Sequence, residues 1–342
     1  MRQGSVCHLM SNNLYSPRAT GLRLYSFLLS KMFGRVILSV LFLCTSCIFI
    51  YVSAVDLLEL PSPKASRIVL LGTGTPNADP HRSGPSVAVV VNGKPYIVDF
   101  GPGIVRRAAA ASDNGIFELR ARNLKTAFLT HLHSDHTVGY PDLIFSPWVL
   151  GRDSPLQVYG PKGLKDMTEH ILSAYKEDIK IRTEGLEQAN QIGFRVEVHE
   201  IEAGEVFEDE NISVNAFSVS HGSWPQAFGF RFNTPDRSIV FSGDCRPSQS
   251  IIENCSGCDV LIHEVYSAAE LERWKNRSPN WAKYMKNFHT STIELAKIAA
   301  LAKPKLLILY HQVTTIPDEK LLSEIRALYS GRVVSGKDLE VY

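Results

Sequence analysis

The stretch HLHSDH, residues 131–136, decides how the rest of the chain is interpreted. Three imidazoles and one carboxylate within six residues are ligand-type side chains, which surface loops and packed cores rarely collect. The apolar run TAFLT immediately before the stretch is typical of a short buried strand, so the motif follows a strand end. Because alternate residues of an extended turn point the same way, His131 and His133 can share one metal. Asp135 and His136 then face a second one.

Five apolar strands of the sequence, TAFLT included, are each followed by a side chain of ligand type. These side chains are His131 after TAFLT, His221 after SVNAFSVS, Asp244 after SIVFSG, Glu264 after DVLIH and His311 after LLILY. A rigid scaffold can bring polar groups together where its strands end. The sequence therefore predicts one site that is built from both halves of the chain.

The order of the predicted elements favours two sheets with helices outside them. RIVLLG, SVAVVV and PYIVDF are typical of strands, and Asn92-Gly93 between the last two predicts a hairpin. A long amphipathic helix is expected from about Leu164 to Ile181. Further helices are expected near residues 268–275, 292–302 and 319–329, and DLEVY is expected to form a terminal strand.

The first 55 residues differ from the rest because they contain no Asp or Glu, carry five Arg or Lys, and run uncharged from residue 36 to 55. This composition predicts a targeting segment over residues 1–55, a linker over 56–66 and one folded domain over 67–342. The apolar residues 36–52 fit either a cleaved signal peptide or a membrane anchor. Either one predicts the secretory pathway, with the domain secreted or anchored outside the cytosol. A mitochondrial presequence is the alternative.

The composition of the whole chain, 342 residues with 44% hydrophobic and 21% charged, is that of an ordinary globular protein. The net charge of +1 argues against a broad nucleic-acid-binding surface. Outside the leader, the cysteines Cys245, Cys255 and Cys258 are too few for a disulfide framework. Cys255 and Cys258 form either a disulfide or a pair of buried thiols.

Several short motifs follow one another from Arg67 onwards: LLGTGTP, DFGPG, THLHSDH, SVSHG, FSGD, IHE and LYHQ. In these motifs the chain resembles the metallo-β-lactamase superfamily, and within it ribonuclease Z and the related zinc phosphodiesterases and arylsulfatases. The resemblance covers nearly all of residues 67–342. It implies an α/β fold, α+β in layer order, built as a four-layer αββα sandwich.

The resemblance also implies how two metals share their ligands. The implied ligands are His131, His133 and His221 for one metal, Asp135, His136 and His311 for the other, and Asp244 as the bridge between them. Nitrogen and oxygen ligands without a thiolate suit two Zn²⁺ ions, and also Mn²⁺ or iron. Taken alone, Asp244 is also compatible with a turn or cap residue, and His221 and His311 with core histidines.

The reaction implied by the resemblance is ester hydrolysis by a hydroxide that bridges two metals, whose binding lowers the pKa of water to about 7. Asp135 could orient or deprotonate that water. The family protonates the leaving group with a Glu and His pair, which Glu264 and His289 match. His289 departs from the ribonuclease pattern HST and lies in HTS, as in arylsulfatase-like members. The alternative is an exposed histidine before a helix cap at Ser291 or Thr292.

Two departures from ribonuclease Z bear on the substrate. The long insertion that grips tRNA in that family is replaced here by the turn TPDR, and the basic proline loop is unmatched in GIFELRARNLKT. A tRNA substrate is therefore disfavoured, although it is not excluded. The expected substrate is a small-molecule or nucleotide-type ester, above all a phosphodiester.

Other functions and partners stay open at this point. The alternatives are an arylsulfatase-like hydrolase of aryl sulfate esters, and a catalytically silent binding protein, which would be expected to have lost ligands. Trp224, Phe228 and Phe230 form either an aromatic wall beside the site or part of the core. A homodimer, and a membrane anchor through residues 36–52, are the remaining predicted associations.

Overall fold

Two sheets form the centre of the computed structural model, which describes residues 65–275 and 278–342. The strands of the first sheet, which lie side by side in chain order, are β1 (Arg67–Gly72), β2 (Ser86–Val91), β3 (Lys94–Val98), β4 (Thr126–Phe128), β5 (Leu156–Gly160) and β6 (Val196–Glu200). β1, β2 and β3 are antiparallel, and β3 to β6 are parallel. Asn92 and Gly93 connect β2 and β3 with φ angles of 49° and 87°, so the predicted hairpin is confirmed.

The second sheet is built from the later strands of the chain. These strands are β7 (Gly204–Glu208), β8 (Ser213–Ser218), β9 (Phe228–Asn233), β10 (Ser238–Phe241), β11 (Val260–Val265), β12 (Leu306–Gln312) and β13 (Val333–Ser335). They lie in the order β13-β12-β11-β10-β9-β8-β7. β10 to β13 are parallel, so the carboxyl ends of these strands meet at one edge of the sheet.

Helices connect the strands and cover the outer faces of both sheets. They are α1 (Ile104–Asp113), α2 (Ser134–Thr137), α3 (Tyr140–Val149), α4 (Leu164–Ala174), α5 (Lys176–Glu184), α6 (Gln249–Cys255), α7 (Ala268–Trp274), α8 (Pro279–Phe288), α9 (Thr292–Ala302) and α10 (Asp318–Arg326). Apolar side chains of α1, α3 and α4 pack on the first sheet, and those of α6, α9 and α10 pack on the second. Each of these six helices thus buries apolar side chains against one sheet.

The core between the two sheets is rich in aromatic residues. The ring of Phe128 on β4 lies 5.8 Å from that of Phe230 and 5.2 Å from that of Phe232 on β9, measured between centroids. The two sheets pack on each other through this core, and one layer of helices covers the outer face of each sheet, which gives four layers. The predicted αββα sandwich of mixed α/β class is confirmed.

Several boundaries differ from the sequence-based expectation. The prediction of one long helix from Leu164 to Ile181 was wrong, because the helix is interrupted at Tyr175. The Tyr175 ring packs 4.5 Å from that of Phe145, measured between centroids. DLEVY does not form a regular strand, but it pairs with β1 through a bridge between Val69 and Val341 and through backbone hydrogen bonds to Ile68 and Leu70. The short strands β7 and β13 and the helix α8 were not foreseen from the sequence.

Two other open alternatives are decided by the folded domain. Cys255 and Cys258 form a disulfide, whereas Cys245 is a buried free thiol. Phe228 and Phe230 belong to the inter-sheet core and not to an aromatic wall.

The predicted targeting segment, residues 1–55, and the linker up to residue 64 lie outside the described residues. Within residues 65–275 and 278–342, no helix is both long enough and apolar enough to cross a membrane. The signal peptide, the membrane anchor and the domain boundaries therefore stay predictions.

Candidate metal centre

The HLHSDH stretch follows β4 at the edge where the two sheets open. His131 is fully buried, and His133 is the residue from which the single-turn helix α2 starts. Asp135 and His136 lie inside that turn and are both buried. The extended residues before the helix and the tight turn within it therefore divide the four side chains into two pairs, as the alternation predicts.

Residues from the second sheet complete two groups of ligand-type side chains. Possible donor atoms lie within 4.8 Å of one another in the group His131, His133, His221 and Asp244, and likewise in the group Asp135, His136 and His311. His133 Nδ1 is 2.9 Å from Nε2 of His131 and 3.0 Å from Nε2 of His221. All seven ligands named from the sequence are thus brought together.

Asp244, which follows β10, lies between the two groups. Its Oδ2 atom is 3.4 Å from Nε2 of His136, 3.4 Å from Nε2 of His311 and 4.0 Å from Nε2 of His221. One carboxylate therefore faces imidazoles of both groups, which is the arrangement that a bridging ligand requires.

The donor atoms of this cluster fit divalent metal ions. Within the described part of the chain, His136 Nε2 and Asp244 Oδ1 are buried and have no hydrogen-bond partner. Buried polar atoms without partners are unfavourable, because they have lost water and gained nothing in its place. A cation bound by imidazole nitrogens and carboxylate oxygens would satisfy such atoms.

Two neighbouring groups orient the imidazole rings. Asp99, at the end of β3, accepts from Nδ1 of His136 at 2.8 Å and from the backbone N–H of Thr130 at 2.8 Å. Nδ1 of His221 lies 2.7 Å from the carbonyl oxygen of Phe288. In both rings Nε2 is left to face the cluster, as in carboxylate–histidine–metal arrangements.

Trp224 orients a third ring, that of His133. Its indole N–H donates to Nε2 of His133 at 2.7 Å, so that Nδ1 of this histidine faces the other ligands. Of the three aromatic residues expected as wall or core, Trp224 is therefore the one that reaches the site.

Burial and neighbouring charges favour the cation-binding protonation state for some of these groups but not for all. Burial acts to lower the pKa of His136, but the charges of Asp244 and Asp99 hold it well above its usual value. Burial lowers the pKa of His131 well below its usual value and lowers the pKa of His221 to about 4. Burial alone would raise the pKa of Asp244, but the facing imidazoles of His311 and His136 hold it well below its usual value. Neutral imidazoles and an ionised carboxylate are the forms that metals require.

Glu264 and His289 form a pair beside this cluster. Glu264 Oε1 lies 3.4 Å from His289 Nδ1 and accepts from the backbone N–H of Thr290 at 2.9 Å. Burial raises the pKa of the Glu264 carboxyl. Burial acts to lower the pKa of His289, but the Glu264 charge raises it above its usual value. The pair can therefore hold a proton next to Asp244, whose Oδ2 is 4.0 Å from His289 Nδ1.

The alternative for His289 was an exposed histidine before a helix cap, and the structure agrees with the cap but not with the exposure. The residue is only 4% exposed, so it is not a surface histidine. Ser291 does cap α9, because its side chain accepts from the backbone of Glu294 while that of Glu294 accepts from the Ser291 N–H. The HTS segment thus combines a buried imidazole with a helix start.

A cavity of about 160 Å³ gives access to the cluster. Its lining comprises His133, Asp135, Asp244, His289 and His311, together with Thr75, Pro76, Asn77, Ser134, Trp281, Tyr284 and Val313. The sequence did not indicate Asn77, Trp281 or Tyr284 as site residues. The aromatic spacing in NWAKYMKNF, at i, i+3 and i+7, is the one signal that could have drawn attention to α8.

Comparison with known proteins places this geometry in context. Residues 96–312 match the family model described as "Beta-lactamase superfamily domain". The chain is 31% identical over 278 residues to a ribonuclease Z of Mycobacterium marinum, a match that covers 80% of this chain and 96% of the relative. A ribonuclease Z of Mycobacterium bovis is 30% identical over 282 residues, with the same coverage.

Solved structures of low sequence identity share the fold. A metallo-beta-lactamase fold protein from Bacillus subtilis superposes with a TM-score of 0.63 at 16% identity, covering 82% of this chain and 99% of its own. The short form of human tRNase Z superposes with a TM-score of 0.60 at 23% identity, covering 81% of this chain and 98% of its own.

Proposed function

The chain belongs to the beta-lactamase superfamily and is a metal-dependent hydrolase of ester bonds, and from this premise we propose that it cleaves phosphodiesters at a centre of two zinc ions. The observation that carries the proposal is the convergence of seven ligand-type side chains and the Glu264–His289 pair on one cavity. Relatives at about 30% identity are ribonucleases Z, which supports a nucleotide-type phosphodiester. Mn²⁺ or iron would fit the same donors.

Each side chain of the site has a defined task in this proposal. One metal would be held by His131, His133 and His221, the other by Asp135, His136 and His311, and Asp244 would contact both. When bound there, divalent ions would supply Lewis-acid chemistry that polarises the ester and lowers the pKa of water. Asp135 borders the cavity, where it orients the attacking water or accepts its proton. His289 protonates the departing oxygen while Glu264 holds the imidazole in place.

A neighbouring basic cavity supports an anionic substrate. This cavity, of about 470 Å³, is lined by Arg246 and Lys283 and shares Tyr284 with the cavity at the centre. Cationic side chains in a cavity next to the centre attract an ester that carries additional negative charge. A nucleotide-type phosphodiester meets this condition.

Aryl sulfate esters are the second candidate substrate. The aromatic rings of Trp281 and Tyr284 in the wall of the cavity favour a substrate with an aryl group, and a sulfate ester carries its negative charge at the same place as a phosphate. A silent binding protein is disfavoured, because none of the seven ligand-type side chains is missing or turned away.

The proposed place of action remains the secretory pathway, with a mitochondrial location as the alternative. The proposal rests on the composition of residues 1–55, and the Cys255–Cys258 disulfide supports it, because disulfides persist in oxidising compartments. We also propose a homodimer and a membrane anchor through residues 36–52.

The test compares three substrates with the full chain loaded with Zn²⁺: bis(4-nitrophenyl) phosphate, 4-nitrophenyl sulfate and a tRNA precursor. We expect chelator-sensitive hydrolysis that is fastest with bis(4-nitrophenyl) phosphate. Asp244→Ala and His133→Ala should each lower kcat/KM by at least about 100-fold, because each removes a ligand, a larger change than loss of an outer partner. His170→Ala, on the exposed face of α4, is the matched control and should not change it.

Two results would count against this assignment. Full activity of Asp244→Ala would remove the bridging carboxylate from the mechanism. Faster cleavage of the sulfate ester than of the phosphodiester would favour the second candidate.

A further inference from the structure

Helix α8 carries a row of stacked aromatic rings that starts at the metal centre. The Phe288 ring lies 5.0 Å from that of His221, the Tyr284 ring stacks on Phe288 at 4.4 Å, and the Trp281 ring stacks on Tyr284 at 5.2 Å, all between centroids. The spacing of three and four residues places these rings on one face of the helix. The row ends at Trp281, which is 47% exposed.

Trp281 separates the cavity at the centre from a second cavity of about 290 Å³. The two cavities have Asn77, Trp281 and Val313 in common, so a molecule bound at the centre can extend from one into the other. The volume of the second cavity is near the lower end of the roughly 300–1,000 Å³ found for small-molecule sites. It suits one part of a substrate, such as a single ring system.

The second cavity combines apolar and aromatic side chains with hydroxyl groups and one negative charge. Tyr266, Leu271 and Met285 line it, together with the carboxylate-bearing Glu270. Glu270 accepts from the Thr314 hydroxyl at 2.5 Å and from a backbone N–H at 3.0 Å, which holds its charge in the wall. No Lys, Arg or His of the described residues lines this cavity. A second phosphate is therefore unfavourable here, in contrast to the basic cavity at Arg246 and Lys283.

We propose that the second cavity is the subsite for an uncharged planar aromatic group of the ester substrate, which stacks on Trp281. This inference rests on the proposed ester hydrolysis and specifies what one side of the ester carries, either an aryl ring or a nucleobase. The stack with Tyr284 keeps the Trp281 ring in place before the substrate arrives, so little side-chain freedom is lost on binding. The face of Trp281 that is exposed without substrate is then covered by the bound ring.

Trp281 can be removed without dismantling the helix. The buried apolar cluster that anchors α8 consists of Tyr266, Leu271, Ala282 and Met285 and does not include Trp281. An alanine at position 281 therefore changes the subsite and leaves the anchoring contacts intact.

The test measures binding by calorimetry with the metal-loaded full chain. Phenyl phosphate is compared with methyl phosphate, and adenosine 5′-monophosphate with ribose 5-phosphate. We expect the aromatic member of at least one pair to bind at least about tenfold more tightly, as stacking on an aromatic side chain provides. A larger preference in the nucleotide pair identifies a nucleobase, and a larger preference in the other pair identifies an aryl ester.

Variants attribute the preference to the ring at position 281. Trp281→Ala should reduce it to about twofold or less, and Trp281→Phe should retain most of it. Phe117→Ala, which removes another exposed aromatic ring outside both cavities, should leave it unchanged. Equal binding within both wild-type pairs, no measurable binding of either aromatic ligand, or an undiminished preference in Trp281→Ala would overturn the proposal.

Failure of the proposed function has a different signature. If the wild-type chain binds the aromatic phosphates more tightly but hydrolyses no phosphate or sulfate ester, the proposed subsite stands and the proposed reaction is wrong. If it hydrolyses esters but shows no preference for aromatic ligands, the proposed reaction stands and the proposed subsite is wrong.

Discussion

Asp99 influences the centre without lining the cavity that a substrate would enter. Its carboxylate is fully buried and joins the HLHSDH stretch to β3 through Thr130 and His136. The backbone of Asp99 has a φ of 58°, which is unusual for a residue other than glycine. A conformation of this kind persists only where surrounding contacts enforce it, which here are the hydrogen bonds to its carboxylate.

We predict that Asp99→Asn weakens metal binding by about 10- to 100-fold, because an amide orients His136 less firmly and no longer increases its basicity. Competition with a chromogenic chelator measures the affinity. Asp113→Asn, an exposed change at the end of α1, is the control and should not alter it. An affinity within about twofold of the wild-type value would contradict the positioning role of Asp99.

At the scale of elements, strands were more predictable than helix boundaries. All five strands expected beside ligand-type residues form, because a run of buried apolar residues has few alternatives to a central strand. His131, His221 and Asp244 lie shortly after β4, β8 and β10, whereas Glu264 and His311 lie within the last residues of β11 and β12. At the break, the ring of Tyr175 packs on that of Phe145, which lies far away in the sequence. Local periodicity holds no information about such contacts.

A turn of the second sheet is tied to the first sheet by Asp209. This residue lies between β7 and β8, and its carboxylate accepts from Lys94 and from the Tyr96 hydroxyl on β3, both at 2.7 Å. Burial alone would raise the pKa of Asp209, but these hydrogen bonds hold it below its usual value. The two sheets are therefore joined by a polar contact as well as by their aromatic core.

We predict that Asp209→Asn lowers the free energy of unfolding by about 1 kcal/mol at neutral pH, the scale of a partly exposed hydrogen-bonded carboxylate. Because the folded pKa is depressed, this stabilisation is complete above the unfolded pKa of about 3.9 and disappears as the pH falls through the lower, folded value. Urea denaturation at several pH values measures the difference.

The control for this experiment is Glu210→Gln, at a neighbouring, mostly exposed carboxylate that lies 3.6 Å from Lys94. It should change stability by less than about 0.5 kcal/mol. A difference between wild type and Asp209→Asn that stays constant down to pH 2 would contradict the role of ionised Asp209.

At the scale of the whole molecule, the centre joins the two sheets. His131, His133, Asp135 and His136 follow a strand of the first sheet, while Asp244 and His311 belong to or follow strands of the second. Because these candidate ligands come from both sheets, we expect metal binding to stabilise the folded domain.

We predict that a chelator lowers the Tm of the full chain and that Zn²⁺ restores it. A ligand that binds only the folded state stabilises it by about 2.7 kcal/mol at a free concentration of 100 times Kd. Thermal unfolding followed by circular dichroism measures the shift. In Asp244→Ala the shift should be clearly smaller, and an equal shift in this variant would contradict binding at the centre.

The sequence by itself indicated which side chains could bind metal and where along the chain they occur, because its motifs resemble those of a known family and the strand–turn pattern around them is local. It also indicated the two sheets through the hairpin at Asn92-Gly93 and the order of the strands. The tertiary structure decided which distant residues support those ligands, such as Asp99 beside His136 and the backbone of Phe288 beside His221. It also decided that α8 places Trp281 between two cavities. Such contacts depend on how whole layers pack. Packing brings together residues that are far apart in the chain, and the sequence around each of them does not indicate its partner.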